Sequence, residues 1–509
     1  MRFKEYIQNK NELFGYTFDD FIPQNDPVRV VDSIVENLDL RKIINRYKNV
    51  GCPGYHPKMM IKIIIYAYLR NTYSSRKIED FTANDIRFLW LSGMQRPDHN
   101  TINNFRSGKL KGTLKEVFGQ IVHFLVEQKM VSLEKAYTDG TKIEANANRY
   151  TFVWGKSIQT RIGKMADQLN ELWAYAEAVT KEELLDKTPI TYQDITSQQI
   201  EGLVEKIDQA LSDVDIDPKV KNKIKYIKKN WPNKVKQYED QNKELGDRNS
   251  MSKTDPDATF MRMKEDHMGN GQLKPAFNTQ ISTEDGFVTN YTIHQTTTDT
   301  TTYGEHMDSF KELHGHYPKE SIADAGYGSE ENYLFAKEND ITPYIKYNYF
   351  HKEQTKKWKN DPFKSSNFYY NKDKDCCYCP MGQQMHKVGE RTTKTKTGFI
   401  QTASLYQAKR CTDCPLRCLC HHAKEERIVQ INHRLKDLKN WAKELLTSEQ
   451  GLKHRSQRPA DVEQTFGNLK ANKGFKRFLL RGLEKVEIEF ALLCISHNLA
   501  KYTVNMAKY

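Results

Sequence analysis

The sequence predicts an α/β protein: a mixed-sheet domain preceded by helices and interrupted by a helical insertion and a cysteine-rich insertion. Three observations carry this expectation. Before about Lys129 apolar residues recur with helical spacing, from Lys135 they alternate as in strands, and from about 158 to 245 the chain is charged and helical with few turn residues. A chain of 509 residues exceeds the size at which one core stops growing, so roughly two to four units are expected. With 38% hydrophobic and 11% aromatic residues there is material for buried cores, which excludes a wholly disordered or fibrous chain.

The segment MMIKIIIYAYLR is apolar round most of a helix, with Pro57 suited to the first turn, as in a buried helix. Lys62 interrupts this run, which is too short to span a bilayer, and the N-terminus has no apolar secretory region. A cytoplasmic location is expected. Short helices follow at about Ser75–Ala83 and Asp85–Leu91, then one capped by Asp98 or Asn100 that carries Ile102 and Phe105, and an amphipathic one near Leu114–Lys129. Such a series fits a helix-turn-helix module as well as a plain bundle, and Asn103, Asn104 and Arg106 are able to read base edges.

The strand signal begins with AYTDGTKIEANA. FNTQISTEDGFVTNYTIHQT reads as two strands around an Asp285-Gly286 turn, and SIADAGYG as a short apolar strand entering a Gly loop. The helical stretch, with KVKNKIKYIKKNWPNKVKQYED, looks inserted into this sheet; its charged face reads as solvated, or, alternatively, as facing DNA. The expected units are residues 1–130, 131–350 with the insertion at about 158–250, a Cys-rich 351–430, and 431–509, which returns to helix.

The formal charge is +12, and residues 451–509 hold eleven Lys or Arg against five Asp or Glu, so half the excess lies there and an anionic partner is expected at that end. Asp139 within the first strand and Asp324 at the end of SIADAGYGS are hard oxygen donors on rigid elements, as metal-dependent phosphoryl chemistry needs. An Asp before Gly also serves simply as a turn residue. In RPADVEQTFGNLKANKGFKRFLLRGLEKVEIE, Pro459 fits the first turn of a helix with Val462, Phe466 and Leu469 on its apolar face. Glu463 and Lys470, nearly two turns apart, share the adjoining face. Flanked by Arg458, Lys473, Lys476, Arg477 and Arg481, they suit a metal ligand beside phosphate contacts; an ordinary solvated helix is the plain alternative.

Seven of nine cysteines fall between Cys376 and Cys420, leaving Cys52 and Cys494 elsewhere. The pairs Cys376-x-x-Cys379 and Cys411-x-x-Cys414 have the spacing of a tetrahedral zinc site, with Cys377, Cys418 or Cys420 as substitute ligands; redox or free thiols are the alternative.

These segments resemble bacterial insertion-sequence transposases of the DDE superfamily. YHPKMMIKIIIYAYLRNTYSSRKIED with RPDHNTINNFR is similar to their InsH-type N-terminal domain, AYTDGTKIEANANRYTFVWGKS to the first-aspartate segment, IADAGYGSEENY to the second, and the Arg455–Glu489 segment to the glutamate segment. The resemblance implies a ribonuclease-H-like catalytic domain and a triad of Asp139, Asp324 and Glu463 holding Mg²⁺ or Mn²⁺. It also implies DNA contacts by Arg458 and Lys470, to which the basic residues Lys476, Arg477 and Arg106 add candidates. Arg458 is one residue farther from Glu463 than the Tyr-x-x-Arg-x-x-x-Glu-x-x-x-x-x-x-Lys pattern has it, and the Tyr position holds no Tyr. The implied activity is cleavage at terminal inverted repeats and joining to target DNA, by a homodimer when two ends are paired, in association with the nucleoid. A catalytically silent DNA-binding regulator and a nuclease without strand transfer are the alternatives.

Overall fold

The alternating run that starts at Lys135 becomes the middle strand of the main sheet. The computed structural model describes Lys4, Gly15 and residues 17–47, 53–180, 196–212, 216–263 and 271–506; Cys52 lies outside these. Strand β1 (Lys135–Glu144) leads to a small antiparallel pair, β2 (Phe152–Trp154) with β3 (Ser250–Ser252), and then to β4 (Thr259–Arg262), β5 (Leu273–Glu284) and β6 (Phe287–His294). Next come β7 (Glu320–Ala323) and β8 (Thr342–Ile345). The main sheet runs β4-β5-β1-β7-β8, with β6 beside the distal half of β5. β1 is antiparallel to β5 and parallel to β7, which is parallel to β8, so the sheet is mixed. Asp285 and Gly286 close the β5–β6 hairpin with φ of 51° and 72°, the left-handed pair that a two-residue type I′ turn requires.

Helices follow their local signals. Asp98 caps His99–Asn104 by accepting from the Thr101 amide, and Asp85 caps Ile86–Ser92. Pro57 begins Pro57–Leu69, buried on almost every side, and its Lys62 is fully enclosed and ion-paired to Asp32 at 2.6 Å and to Glu36. A buried ammonium needs such partners. The C-terminal helix Leu483–Met506 packs against Pro57–Leu69 and β6, so one apolar core runs from the N-terminal helices into the sheet.

The predicted insertion lies between β2 and β3 as three helices, Gly155–Thr180, Ser197–Ala210 and Pro218–Leu245, which close their own core around Leu169, Trp173, Ile227 and Trp231. The Cys-rich segment forms a second sheet of β9 (Tyr369–Asn371), β10 (Cys376–Tyr378), β11 (Gln384–Lys394), β12 (Ile400–Gln407) and β13 (Ile428–Ile431), in reverse sequence order, over a small core of Cys377, Met385, Tyr406 and Val429. Among the described residues no helix is long and apolar enough to cross a membrane.

One expectation is corrected. Pro459 does not open a helix: the helical run extends from Glu449 to Asn472 with Pro459 inside it. Proline lacks an N–H and its ring crowds the carbonyl four residues back, and the run absorbs this by widening into a π-turn at Pro459–Glu463, followed by a second at Asn468–Asn472.

His497 ties this run to the hairpin. It is enclosed in Leu483–Met506, with Nδ1 facing the Asn468 amide at 3.0 Å and Nε2 facing the Gly286 carbonyl at 2.9 Å, the pattern of a neutral ring. Burial lowers its pKa to about 4. The unfolded chain therefore binds this proton at higher pH than the folded one, and stability is lost as pH falls from about 6.5 towards 4. The expected loss at pH 4 from this residue is on the order of 3 kcal/mol. Urea unfolding between pH 7.5 and 4 should show it, and His497→Gln should flatten the profile; an unchanged slope in that variant would remove His497 as its source.

Candidate active site

Three carboxylates from distant segments reach one cleft. Asp139 stands at the centre of β1 and is 8% exposed, Asp324 follows the last residue of β7, and Glu463 closes the π-turn of the Glu449–Asn472 run. With Gly140, Thr141, Arg458, Lys470 and Lys476 they line a cavity of about 450 Å³.

The helical run is laid across the sheet by three ties. His454 Nδ1 and the Tyr137 hydroxyl are 2.9 Å apart, Asp461 accepts from the Gly286 amide at 2.9 Å, and the Lys470 ammonium donates to the Lys142 carbonyl at 3.1 Å. Between these anchors sits Arg458. Its guanidinium is 3.1 Å from Asp139 Oδ1 and donates to Glu463 Oε1 at 2.6 Å, and its side chain is only 7% exposed. Arg458 therefore supplies the positive charge that two facing carboxylates need, one of them almost buried.

Asp324 is set by its loop. Its Oδ1 accepts from the Gly326 amide at 2.8 Å, and the Thr300 hydroxyl donates to the Gly326 carbonyl at 2.8 Å. Gly328 lets this loop lie against the end of β8, since a Cβ there would stand 2.3 Å from the Lys346 carbonyl oxygen.

Sequence reasoning missed several groups around this cleft. Asp299 accepts from Asn278 at 2.8 Å and Gln280 at 2.9 Å behind β1, against Gly140, where a Cβ would meet both the Gln280 amide and the Asp299 carboxylate. Tyr327, fully enclosed, donates to Gln280; burial first, then Asp299, Asp139 and Asp324, push its phenol far above its usual range. Lys346 follows β8 as Asp324 follows β7, and burial, then the neighbouring Arg458 and Arg455, lower its pKa. A lysine one residue beyond a short apolar strand carries no sequence signal; only the parallel register sets it beside Asp324.

The basic residues expected at DNA divide sharply. Arg458, Lys470 and Lys476 line the cleft. Arg477 instead spends its guanidinium on the Ala145 and Ala147 carbonyls at 3.2 and 3.3 Å, and Arg481 bonds to Asn146 at 2.8 Å, together fixing the chain after β1. Lys473 is buried, which lowers its pKa to about 8. Arg106 is corrected as a base-reading candidate: it is 3% exposed and donates to the Tyr68 hydroxyl at 3.2 Å and the Tyr73 carbonyl at 2.8 Å, inside the N-terminal helices.

Among the described residues no three His, Cys, Asp or Glu groups stand close enough to cage a metal ion. For Asp139, Asp324 and Glu463 the donor chemistry fits a hard divalent cation, with Arg458 now bridging two of the three. The four-thiol zinc set is not assembled. Cys379, Cys411 and Cys414 line one cleft with Cys420 and His421, whereas Cys376 is enclosed in β10, whose pairing with β11 turns it away from that cleft. Cys420 is one of the substitute ligands the sequence offers, so Cys379, Cys411, Cys414 and Cys420 share that cleft, beside the module's small apolar core.

Residues 378–503 match the family described as a transposase DDE domain, and residues 16–108 match a transposase domain, DUF772. These two matches support a DDE transposase. The first spans the Cys-rich sheet from Tyr378 onward and the Glu463 run, while Asp139 and Asp324 lie outside it. No curated protein and no solved structure matches the chain.

Arg458→Met should expose the charge balance of the site. Without divalent ions the variant should lose roughly 1–3 kcal/mol, less than for a fully enclosed pair because the Glu463 side chain is half exposed. Millimolar Mg²⁺ should raise its melting temperature more than that of the parent, since Asp139 and Glu463 are then free of the guanidinium. A variant as stable as the parent in EDTA would mean that Arg458 does not hold the site together.

Proposed function

We propose that this protein is a DNA transposase that binds the terminal inverted repeats of its own element, cleaves phosphodiester bonds there and joins the freed ends to target DNA. The observation that carries the reading is the convergence of Asp139, Asp324 and Glu463 on a cleft also lined by Arg458, Lys470 and Lys476, in a chain that matches two transposase families. The mixed sheet with an acid at the centre of β1 and another beyond β7 supports the ribonuclease-H-like reading of the catalytic domain.

Asp139, Asp324 and Glu463 would hold Mg²⁺ or Mn²⁺. Bound there, such ions activate an attacking water or 3′-hydroxyl and stabilise the departing oxygen in an in-line displacement. The chain's own groups do the rest. Lys470, anchored on the Lys142 carbonyl, and Lys476, at the exposed rim, present ammonium groups to the phosphates on either side of the cut. Arg458 bridges the Asp139 and Glu463 carboxylates until DNA and cations enter, and the Asp299–Gln280–Tyr327 network stiffens the back of β1. The InsH-type N-terminal helices would contribute to end recognition, two copies would pair two ends, and the work would take place at DNA in the cytoplasm.

Replacing Asp139, Asp324 or Glu463 by Ala should abolish Mg²⁺-dependent nicking of duplexes that carry the element end, and joining to a target plasmid, while gel-shift affinity for the same duplex largely survives. A single variant that cuts at the parent's rate would exclude that residue from the triad. A parent protein that cuts but never joins would reduce the function to a nuclease.

A further inference from the structure

The helical insertion presents a basic groove that the cleft does not account for. From Pro218 to Lys236 the sequence holds eight lysines and no Asp or Glu. Ile224, Ile227, Trp231, Val235 and Tyr238 of that helix turn into the insertion's core, so the lysines are left outside. Several stand four apart, Lys219 with Lys223, Lys221 with Lys225 and Lys225 with Lys229. Like charges at that spacing repel along a helix. Acidic neighbours relieve only part of this: Lys228 pairs with Asp208 at 2.8 Å, and Lys223 approaches Glu171 at 3.8 Å.

The antiparallel neighbour adds to the charge. Arg161 and Lys164 of Gly155–Thr180 face Lys223 and Lys234 across a groove of about 530 Å³, and Tyr226, 56% exposed, stands within the same lining. Cations on both walls of a groove with an exposed aromatic ring form a surface for a polyanion that passes along the helix pair. At 1.5 Å per residue the lysines from Lys219 to Lys236 cover about 25 Å, about seven phosphate steps of one DNA strand.

We infer that the groove between Gly155–Thr180 and Pro218–Leu245 is a second DNA surface, which grips the sugar-phosphate backbone of duplex DNA away from the cut without reading its sequence. The inference rests on the transposase reading for its choice of polyanion, but it concerns residues outside the catalytic cleft. The groove contributes affinity and salt dependence, and the cleft contributes chemistry.

The test uses the full-length protein with Arg161, Lys164, Lys223 and Lys234 all changed to Gln, and a second variant with the three lysines changed to Arg. Binding to a 40-base-pair duplex of arbitrary sequence is titrated by fluorescence anisotropy at several KCl concentrations. Each lost phosphate contact removes roughly 0.9 from the slope of log affinity against log salt, so loss of all four contacts should flatten it by roughly 3.6 and weaken binding at least tenfold at low salt. The Arg variant should keep the parent's slope, and the Gln variant should melt at the parent's temperature. If the Gln variant keeps both slope and affinity while the parent binds DNA, the groove is merely solvated and the transposase reading stands. A parent that binds no duplex at any salt would overturn both.

Discussion

Everything around the cleft follows from placing a carboxylate on the innermost strand. Asp139 stands on the middle strand with only 8% of its surface exposed, so most of its charge must be met within the protein. Arg458 meets it from a segment more than three hundred residues away. To do so, the Glu449–Asn472 run must cross β1 at a fixed height, and its ties to Tyr137, Gly286 and Lys142 set that height. Once the arginine is placed, Glu463 is placed too, because the π-turn leaves it within reach of the same guanidinium.

The second carboxylate depends on the other side of β1. β7 ends at Ala323, and the loop that carries Asp324 is pressed on β8 at Gly328 and held to the Thr300 hydroxyl at Gly326. Helix Glu330–Glu338 then follows, and its enclosed Glu330 accepts from Asn432 at 2.6 Å and from Arg434, where the chain returns from the Cys-rich sheet. The same ion pair that satisfies a buried acid therefore docks that sheet beside the Asp324 loop. This gives the module a mechanical role: it fixes where the chain re-enters the domain before it turns into the Glu463 run.

Much of the fold was legible in the sequence because its signals are local. The Asp285-Gly286 turn, the cap at Asp98, the buried Pro57–Leu69 helix and the lysine-rich insertion all depend on residues within one or two turns of each other. What was not legible depends on which way a side chain points after folding. Arg106 looked like a base-reading arginine until the π-turn at Phe105–Lys109 aimed it inward at Tyr68 and Tyr73. Arg477 has the charge of a phosphate contact, yet two backbone carbonyls after β1, those of Ala145 and Ala147, lie within its reach. Cys376 and Cys379 have metal spacing, but Cys376 is enclosed in β10 whereas Cys379 follows that strand and lines the cleft.

Pro459 shows how a misread local signal can still lead to the cleft. A proline at the start of an amphipathic run ordinarily marks a first turn, and here it marks a bulge within a longer helix. The bulge has a consequence for the chemistry. With regular α-helical spacing, residues five apart such as Arg458 and Glu463 would differ by about 140° around the axis and could not share a partner. A π-turn closes a hydrogen bond across five residues instead of four, which brings them nearer one face, so the guanidinium spans Asp139 and Glu463 at once. The extra residue between Arg458 and Glu463, which departs from the spacing of related transposases, is thereby absorbed by the backbone, and the glutamate reaches the cleft despite it.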